Sequence, residues 1–248
     1  INHFDFISGS AVITYDSIGM EFRHTHANIS DAQGNLLFYT NGVYIADATN
    51  DTMQNGSGIN PGAYSNLVPD GHLLPQSALI LKKPGSASEY FMFHNTMDSY
   101  PSFGSFGYQL YLSIIDMNGN NGLGTVVTKN FPLISDTINT GKLASCRHAN
   151  GRDWWVLCHR RASNIYYRLL VTPEGLSNPM QQAIGAVDGD GDGSHVPMSD
   201  KEKDDFRLGL NAVLDYLQGF WMGLERKPVG AVQARPRPVQ GLERELRG

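Results

Sequence analysis

Charge is scarce in this sequence. Only 17% of its 248 residues are charged, against about a quarter in an ordinary globular chain. The net charge is −5, and the β-rich part carries no basic stripe, which argues against a nucleic-acid partner. Cysteine is scarcer still, with Cys146 and Cys158 alone. They flank the turn at Asn150-Gly151 on facing strands, but the register does not set them directly opposite, so a disulfide is not favoured. No apolar run is long enough to span a bilayer, so no membrane span is expected. No signal segment is visible; the chain opens at Ile1 rather than Met. That start points to a fragment or a processed protein, and the missing signal therefore says little about location. A Gly-x-Ser-x-Gly elbow is also missing. Gly104-Ser105-Phe106-Gly107 is the nearest string, and its spacing does not fit a hydrolase nucleophile.

Glycine, at 27 residues, fills the space that charge leaves. With Asn, Ser and Thr it makes a polar filler suited to a secreted or surface β protein with many turns. Strand-like runs recur, each closed by turn chemistry. Asn28–Ser30 leads through Asp31-Ala32-Gln33-Gly34-Asn35 to Leu36–Thr40. Ser77–Leu81 leads through Lys82–Ser86 to Tyr90–Phe93. Tyr108–Ile115 turns at Asp116–Asn120 before Val126-Val127, and Leu143–His148 turns at Asn150-Gly151 before Trp154–Cys158. Ile165–Val171 ends at Thr172-Pro173-Glu174-Gly175. Asn-Gly and Pro-Gly supply the backbone angles of tight reversals. The flanking β-branched and aromatic residues fit a pleated, half-buried surface. The expected fold is mainly β: an incomplete β-propeller-like array of antiparallel hairpins, two to three blades, followed by one C-terminal α-helix.

Composition changes after Val187. Residues 1–187 hold 10 basic and 13 acidic side chains; residues 188–248 hold 9 and 11, which completes the totals of 19 and 24. Charge density rises nearly threefold there, the mark of a domain boundary. The expected organisation is a β module at 1–187, an acidic Gly-rich linker at 188–199, an amphipathic helix at 200–228 and a tail at 229–248. Ser199-Asp200-Lys201-Glu202 reads as a capping box. Phe206, Leu210, Val213, Leu217, Phe220 and Leu224 form one apolar stripe that Pro228 ends.

Several groups could carry chemistry. Asp188, Asp190 and Asp192, with Gly193 after them, match the start of a calcium loop, but Ser199 stands where the bidentate Glu belongs. Calcium is therefore the one cofactor considered, against a plain acidic linker. His24 and His26 would share one face of a strand, two ligands of a zinc site that lacks a third. Asp31, Asp116 and Asp153 sit at turns, where Asp commonly accepts from the backbone nearby. Trp154, Trp155, Tyr166 and Tyr167 could form a carbohydrate platform or serve as sheet core. Alternation along a strand buries one ring of each pair and frees the other.

Four segments resemble a known family. They are Ile29–Gly42; Gln76–Ile80 with Lys83-Pro84-Gly85; Ile115-Asp116-Met117 with Asn121–Gly124; and His148–Trp155. In order and spacing they are similar to the N-terminal region of large propeller-like surface or secreted proteins of gliding-type Bacteroidota. Those proteins often end in a type IX secretion sorting domain. The likeness covers roughly residues 1–186. It implies a scaffold or binding role at the cell surface or outside the cell, and no catalytic residues. The chain departs from that pattern in length, since a closed propeller needs about four to eight blades. Asp205-Phe206-Arg207, Gly209, Asp215-Tyr216-Leu217 and Glu225–Val229 resemble the N-terminal helix of pyridoxal-phosphate-dependent aromatic amino acid decarboxylases. The cofactor lysine of that family would lie downstream of anything in this chain.

The expectation is a non-enzymatic binding or scaffold module with a protein or carbohydrate partner. An unpaired strand edge would also invite self-association. The rival expectation is an enzyme fragment, either a propeller hydrolase or a decarboxylase segment joined to an unrelated β piece.

Overall fold

Alternation of apolar side chains along successive strands produces three sheets stacked in chain order. The computed structural model describes residues 2–5, 9–15, 17–96, 106–139, 143–185 and 187. The acidic linker, the amphipathic helix and the tail expected at 188–248 lie outside the described residues, as does Gly104-Ser105.

A hairpin of β1 (Asn2–Asp5) and β2 (Val12–Tyr15) stands as its own two-stranded sheet. The first stacked sheet is β3 (Ala27–Ser30), β4 (Leu36–Thr40) and β5 (Ile45–Asp47). A long connection follows, with one short helix, α1 (Ala63–Leu67). The second sheet is a four-stranded antiparallel meander: β6 (Ala78–Lys82), β7 (Glu89–Thr96), β8 (Phe106–Asp116) and β9 (Thr125–Asn139). The third runs β10 (Ala144–Arg147), β11 (Trp154–His159) and β12 (Ile165–Thr172). Its far edge is shared by β13 (Gly175–Leu176) and β14 (Met180–Ala183), both paired with β12. Where that edge breaks at Asn178-Pro179, Ser177 fills the ladder: its Oγ accepts the Leu170 N–H at 2.8 Å, and its N–H reaches the Leu170 carbonyl.

Strand β7 explains why the sheets stack. Seven of its eight residues are buried, so it has no solvent face. Tyr90 and Met92 pack toward the first sheet with Phe38, Ile45, Ile80, Ile115 and Val126. Phe38 meets Tyr90 edge-to-face at 5.6 Å. Phe91 and Phe93 pack toward the third sheet with Leu110, Leu112, Val156, Leu169 and Val171. Each such fully buried side chain contributes roughly 1.5–3 kcal/mol. The leading strands β3 and β6 lie beside each other, as the inner strands of neighbouring propeller blades do. Among the described residues the array does not close on itself, and the fold is an incomplete propeller-like array.

The outer edges of the second and third sheets differ among the described residues. Residues 51–58 cover the outer strand of the second sheet: Asn55 Nδ2 donates to the Val126 carbonyl at 2.7 Å, and Lys129 Nζ donates to the Ser57 carbonyl at 2.9 Å. On the third sheet, all four residues of β14 are exposed.

The five expected hairpins all form, with refinements at the turns. Gly151 has φ +72°, as an Asn-Gly reversal requires. Gly119 has an ordinary φ of −71°, and Asn120 and Asn121 take the positive angles instead. Glycine is needed at 119 for space: a Cβ there would sit 2.5 Å from Thr125 Cγ2. Cys146 faces Trp155 and Cys158 faces Tyr167 across the third sheet, and both thiols are free. His24 and His26 do not share a strand; they precede β3. Thr25 between them is buried, His24 Nδ1 donates to the Leu73 carbonyl at 2.8 Å, and His26 meets Phe22 edge-on. Among the described residues no helix is long and apolar enough to cross a membrane.

Candidate functional site

Two turns at one end of the second and third sheets flank an open cleft of about 360 Å3. From the third sheet comes the β10–β11 turn, residues 148–153. Its shape is fixed several times over. His148 N donates to the Asp153 carbonyl, and Gly151 N to the His148 carbonyl, each at 2.9 Å. Asn150 Oδ1 accepts the N–H groups of Arg152 and Asp153, both at 3.0 Å. Asp153 does not accept from the backbone as expected of a turn Asp. Asn150 takes that role, and the buried Asp153 carboxylate accepts Arg152 Nε at 2.7 Å, Arg152 Nη2 at 3.2 Å and Asn150 Nδ2 at 2.7 Å. The Arg152 guanidinium, then Asn150, hold that carboxyl below its usual range. Asp31 and Asp116 behave as read from the sequence: Asp31 Oδ1 accepts the N–H groups of Gln33 and Asn35, and Asp116 Oδ1 that of Asn118.

From the second sheet comes the β6–β7 turn. Ser86 Oγ accepts the N–H groups of Ser88 and Glu89. Lys83 Nζ is paired with Glu89 Oε2 at 2.6 Å. Across the cleft, the Arg147 guanidinium lies 3.9 Å over the Trp154 ring, a close cation–π stack. Its Nη1 donates to the carbonyls of Gly151 and Arg152, at 3.3 and 3.1 Å.

The four aromatic rings read as one platform are divided between two faces of the third sheet. Register sets Trp154 opposite Val171 and Cys158 opposite Tyr167, on the face packed against the second sheet. Trp154 is half-buried beneath Arg147. Tyr167 is core, 6% exposed, and its hydroxyl donates to Asp136 Oδ2 at 2.5 Å. Trp155 and Tyr166 lie half-buried on the other face, Trp155 near His148 and Arg168, and Tyr166 tilted against His159 with ring centres 4.4 Å apart.

A second polar cluster sits between the first and second sheets. His94 Nδ1 donates to Asn60 Oδ1 at 2.6 Å, and its Nε2 accepts from Ser113 Oγ at 2.9 Å. Asn60 Nδ2 is spent on the Gly42 carbonyl, which fixes its orientation. Ser65 Oγ donates to the Asn60 carbonyl and accepts from His72 Nε2. The order serine, histidine, amide is that of a nucleophile, its base and an orienting group. Yet Ser113, His94 and Asn60 are each 0% exposed, so no substrate reaches Ser113 Oγ in this conformation. Burial lowers the His94 imidazole to about 3, with His72 adding to it, and lowers His72 to about 4. The network acts as a polar core. Its members come from positions 60, 65, 72, 94 and 113, a spread that no local motif marks.

Asp188, Asp190 and Asp192, the calcium-loop candidates, lie outside the described residues. Among the described residues no three His, Cys, Asp or Glu side chains gather as metal ligands. Comparison with family models, with curated proteins and with solved structures returns no match.

Proposed function

We propose that the chain is a non-enzymatic binding and scaffold module of a secreted or surface-displayed protein. The observation that carries this reading is the open cleft at the turn end of the second and third sheets. Its walls are two turns fixed by side-chain hydrogen bonds, and its one aromatic ring is held under a guanidinium. Rigid turns on a stacked-sheet scaffold are a common seat of recognition. The Gly- and Asn-rich turns, the low charge and the likeness of residues 1–186 to propeller-like Bacteroidota proteins support an extracellular setting and type IX export. The exposed β14 supports a further partner, a strand from another copy, because among the described residues β14 pairs with β12 alone.

Glycan and protein arrays probed with the folded full chain test the reading. Retention of at least one ligand class, without turnover, is the expected outcome. A well-folded sample that retains nothing, or that turns over a substrate, overturns it.

A further inference from the structure

We propose that the outer face of the third sheet is the contact surface of a two-fold dimer of this chain, sheet face against sheet face. Strands β11 and β12 are apolar on both sides. Val156, Cys158, Tyr167, Leu169 and Val171 pack toward the second sheet. Register sets Cys146, Trp155, Leu157, Tyr166, Leu170 and Met180 on the opposite side. None of these six belongs to a core cluster among the described residues. A strand that is apolar on both sides suits burial on both. Strand β7 has the same pattern, and there a neighbouring sheet covers each side.

The two ends of the stack are unlike. On the outer face of the first sheet, Tyr39 and Ala46 are buried against Met20, with Ile18 and Tyr44 packed beside them. That end is sealed by the chain itself. Head-to-tail stacking of copies would have to strip the seal. Pairing of two third-sheet faces disturbs nothing and closes at two copies. Residues 188–248 read as linker, helix and tail, so they hold no further turn-closed hairpin to build another sheet. A second copy supplies one.

The face is also self-complementary in its polar groups. Arg168 is the one charged side chain that these strands set on that side. Its guanidinium lies 5.7 Å from the Trp155 ring centre, and its Nε is buried with no acceptor among the described residues. Gln182 shares the side, two residues along β14 from Met180, which faces Arg168 across the ladder. It is exposed, and its amide makes no bond to a described residue. A two-fold axis between the pair brings the Arg168 Nη groups of each copy to the Gln182 carbonyl of the other. One contact is then made twice, and the two guanidinium groups stay apart.

Sedimentation velocity on the full chain tests this. The expected result is a monomer–dimer equilibrium with no larger species and a dissociation constant of about 10 µM. Gln182→Arg and Arg168→Gln should each weaken the dimer about tenfold, and the variant carrying both should recover it. Gln182 is exposed, so its variant keeps the monomer fold even where loss of Arg168 disturbs the sheet. Near-UV circular dichroism checks each fold. A further variant separates face from edge. Ile184 N donates to the Asn164 carbonyl, so alternation turns the Ala183 N–H away from β12. Ala183→Pro therefore blocks strand addition at β14 and should leave a face-to-face dimer unchanged. A monomer up to about 200 µM, growth beyond the dimer, indifference to Gln182→Arg, or an exchanged pair no better than either single variant overturns the inference. A dimer lost only in Ala183→Pro also overturns it, and leaves the edge partner at β14 standing.

Discussion

Ser113 Oγ lies 2.9 Å from His94 Nε2, and both groups are sealed between the first and second sheets. Ser113 Oγ also accepts the Asn130 N–H at 3.1 Å. Ser113→Ala would leave a buried imidazole nitrogen and a partly buried amide without partners. The expected loss is roughly 1–3 kcal/mol of stability, read as a lower denaturant midpoint at unchanged slope. Esterase assays on the parent chain should stay at the uncatalysed rate. Hydrolysis that vanishes in the variant would mean that the cluster opens to substrate.

The same cluster sets an acid response. Unfolded imidazoles bind protons below about pH 6.5, whereas folded His72 and His94 stay neutral down to about 4 and about 3. Between those limits the unfolded state binds more protons, so stability rises with pH across the window and is complete above it. His72 has a specific reason. Its Nε2 donates to Ser65, and its buried Nδ1 has no acceptor among the described residues for the second proton. Denaturant midpoints should therefore fall from pH 7 to about pH 5.5, above the range where most carboxylates titrate. His94→Gln should reduce that slope; an unchanged slope would remove His94 as a source.

Asp136 joins the second sheet to the third. Its Oδ2 accepts the Tyr167 hydroxyl at 2.5 Å and Arg160 Nε at 3.1 Å. Burial first, then Asp136, pushes the Tyr167 hydroxyl up to about 12. Tyr167→Phe should cost about 1.5–3 kcal/mol, the range for a hydrogen bond to a charged group. Asp136→Asn should cost at least as much, and the double variant less than the sum, because the two residues share one bond. Additive losses would show that the contact is not a unit.

The cysteines should react differently. Cys158 is 1% exposed, and burial, with Asp136 adding, pushes its thiol up to about 12, while Cys146 is exposed. A thiol reagent should label one site in the native chain and two in denaturant, with Cys146 identified by peptide mapping. Rapid native labelling of Cys158 would reveal opening of the interface between the second and third sheets.

The hairpins could be read from the chain because each depends on neighbours in sequence. Asn150-Gly151 and Pro84-Gly85 fix reversals locally, and runs such as Tyr90–Phe93 fit a pleated surface wherever they lie. The period of two also divided Tyr166 from Tyr167, as the buried and half-buried rings bear out. The β1–β2 hairpin, β5, β14 and α1 are elements of five residues or fewer, too short to show a period, although Asn41-Gly42 marks a turn before β5. Asp153 was misassigned because Asn150, three residues away, competes for the same backbone donors and wins.

What the sequence alone determined is the five turn-closed hairpins, their antiparallel pairing and the mainly β class, since these follow from local turn angles and alternation. Tertiary structure decided which side chains meet. Stacking of β7 between two sheets sealed Ser113, His94 and Asn60 into a core, though they are tens of residues apart. Apposition of two turns from different sheets brought Ser86 and Arg147 to one cleft. Such encounters depend on how sheets pack face to face, and that packing is set by the summed burial of both faces.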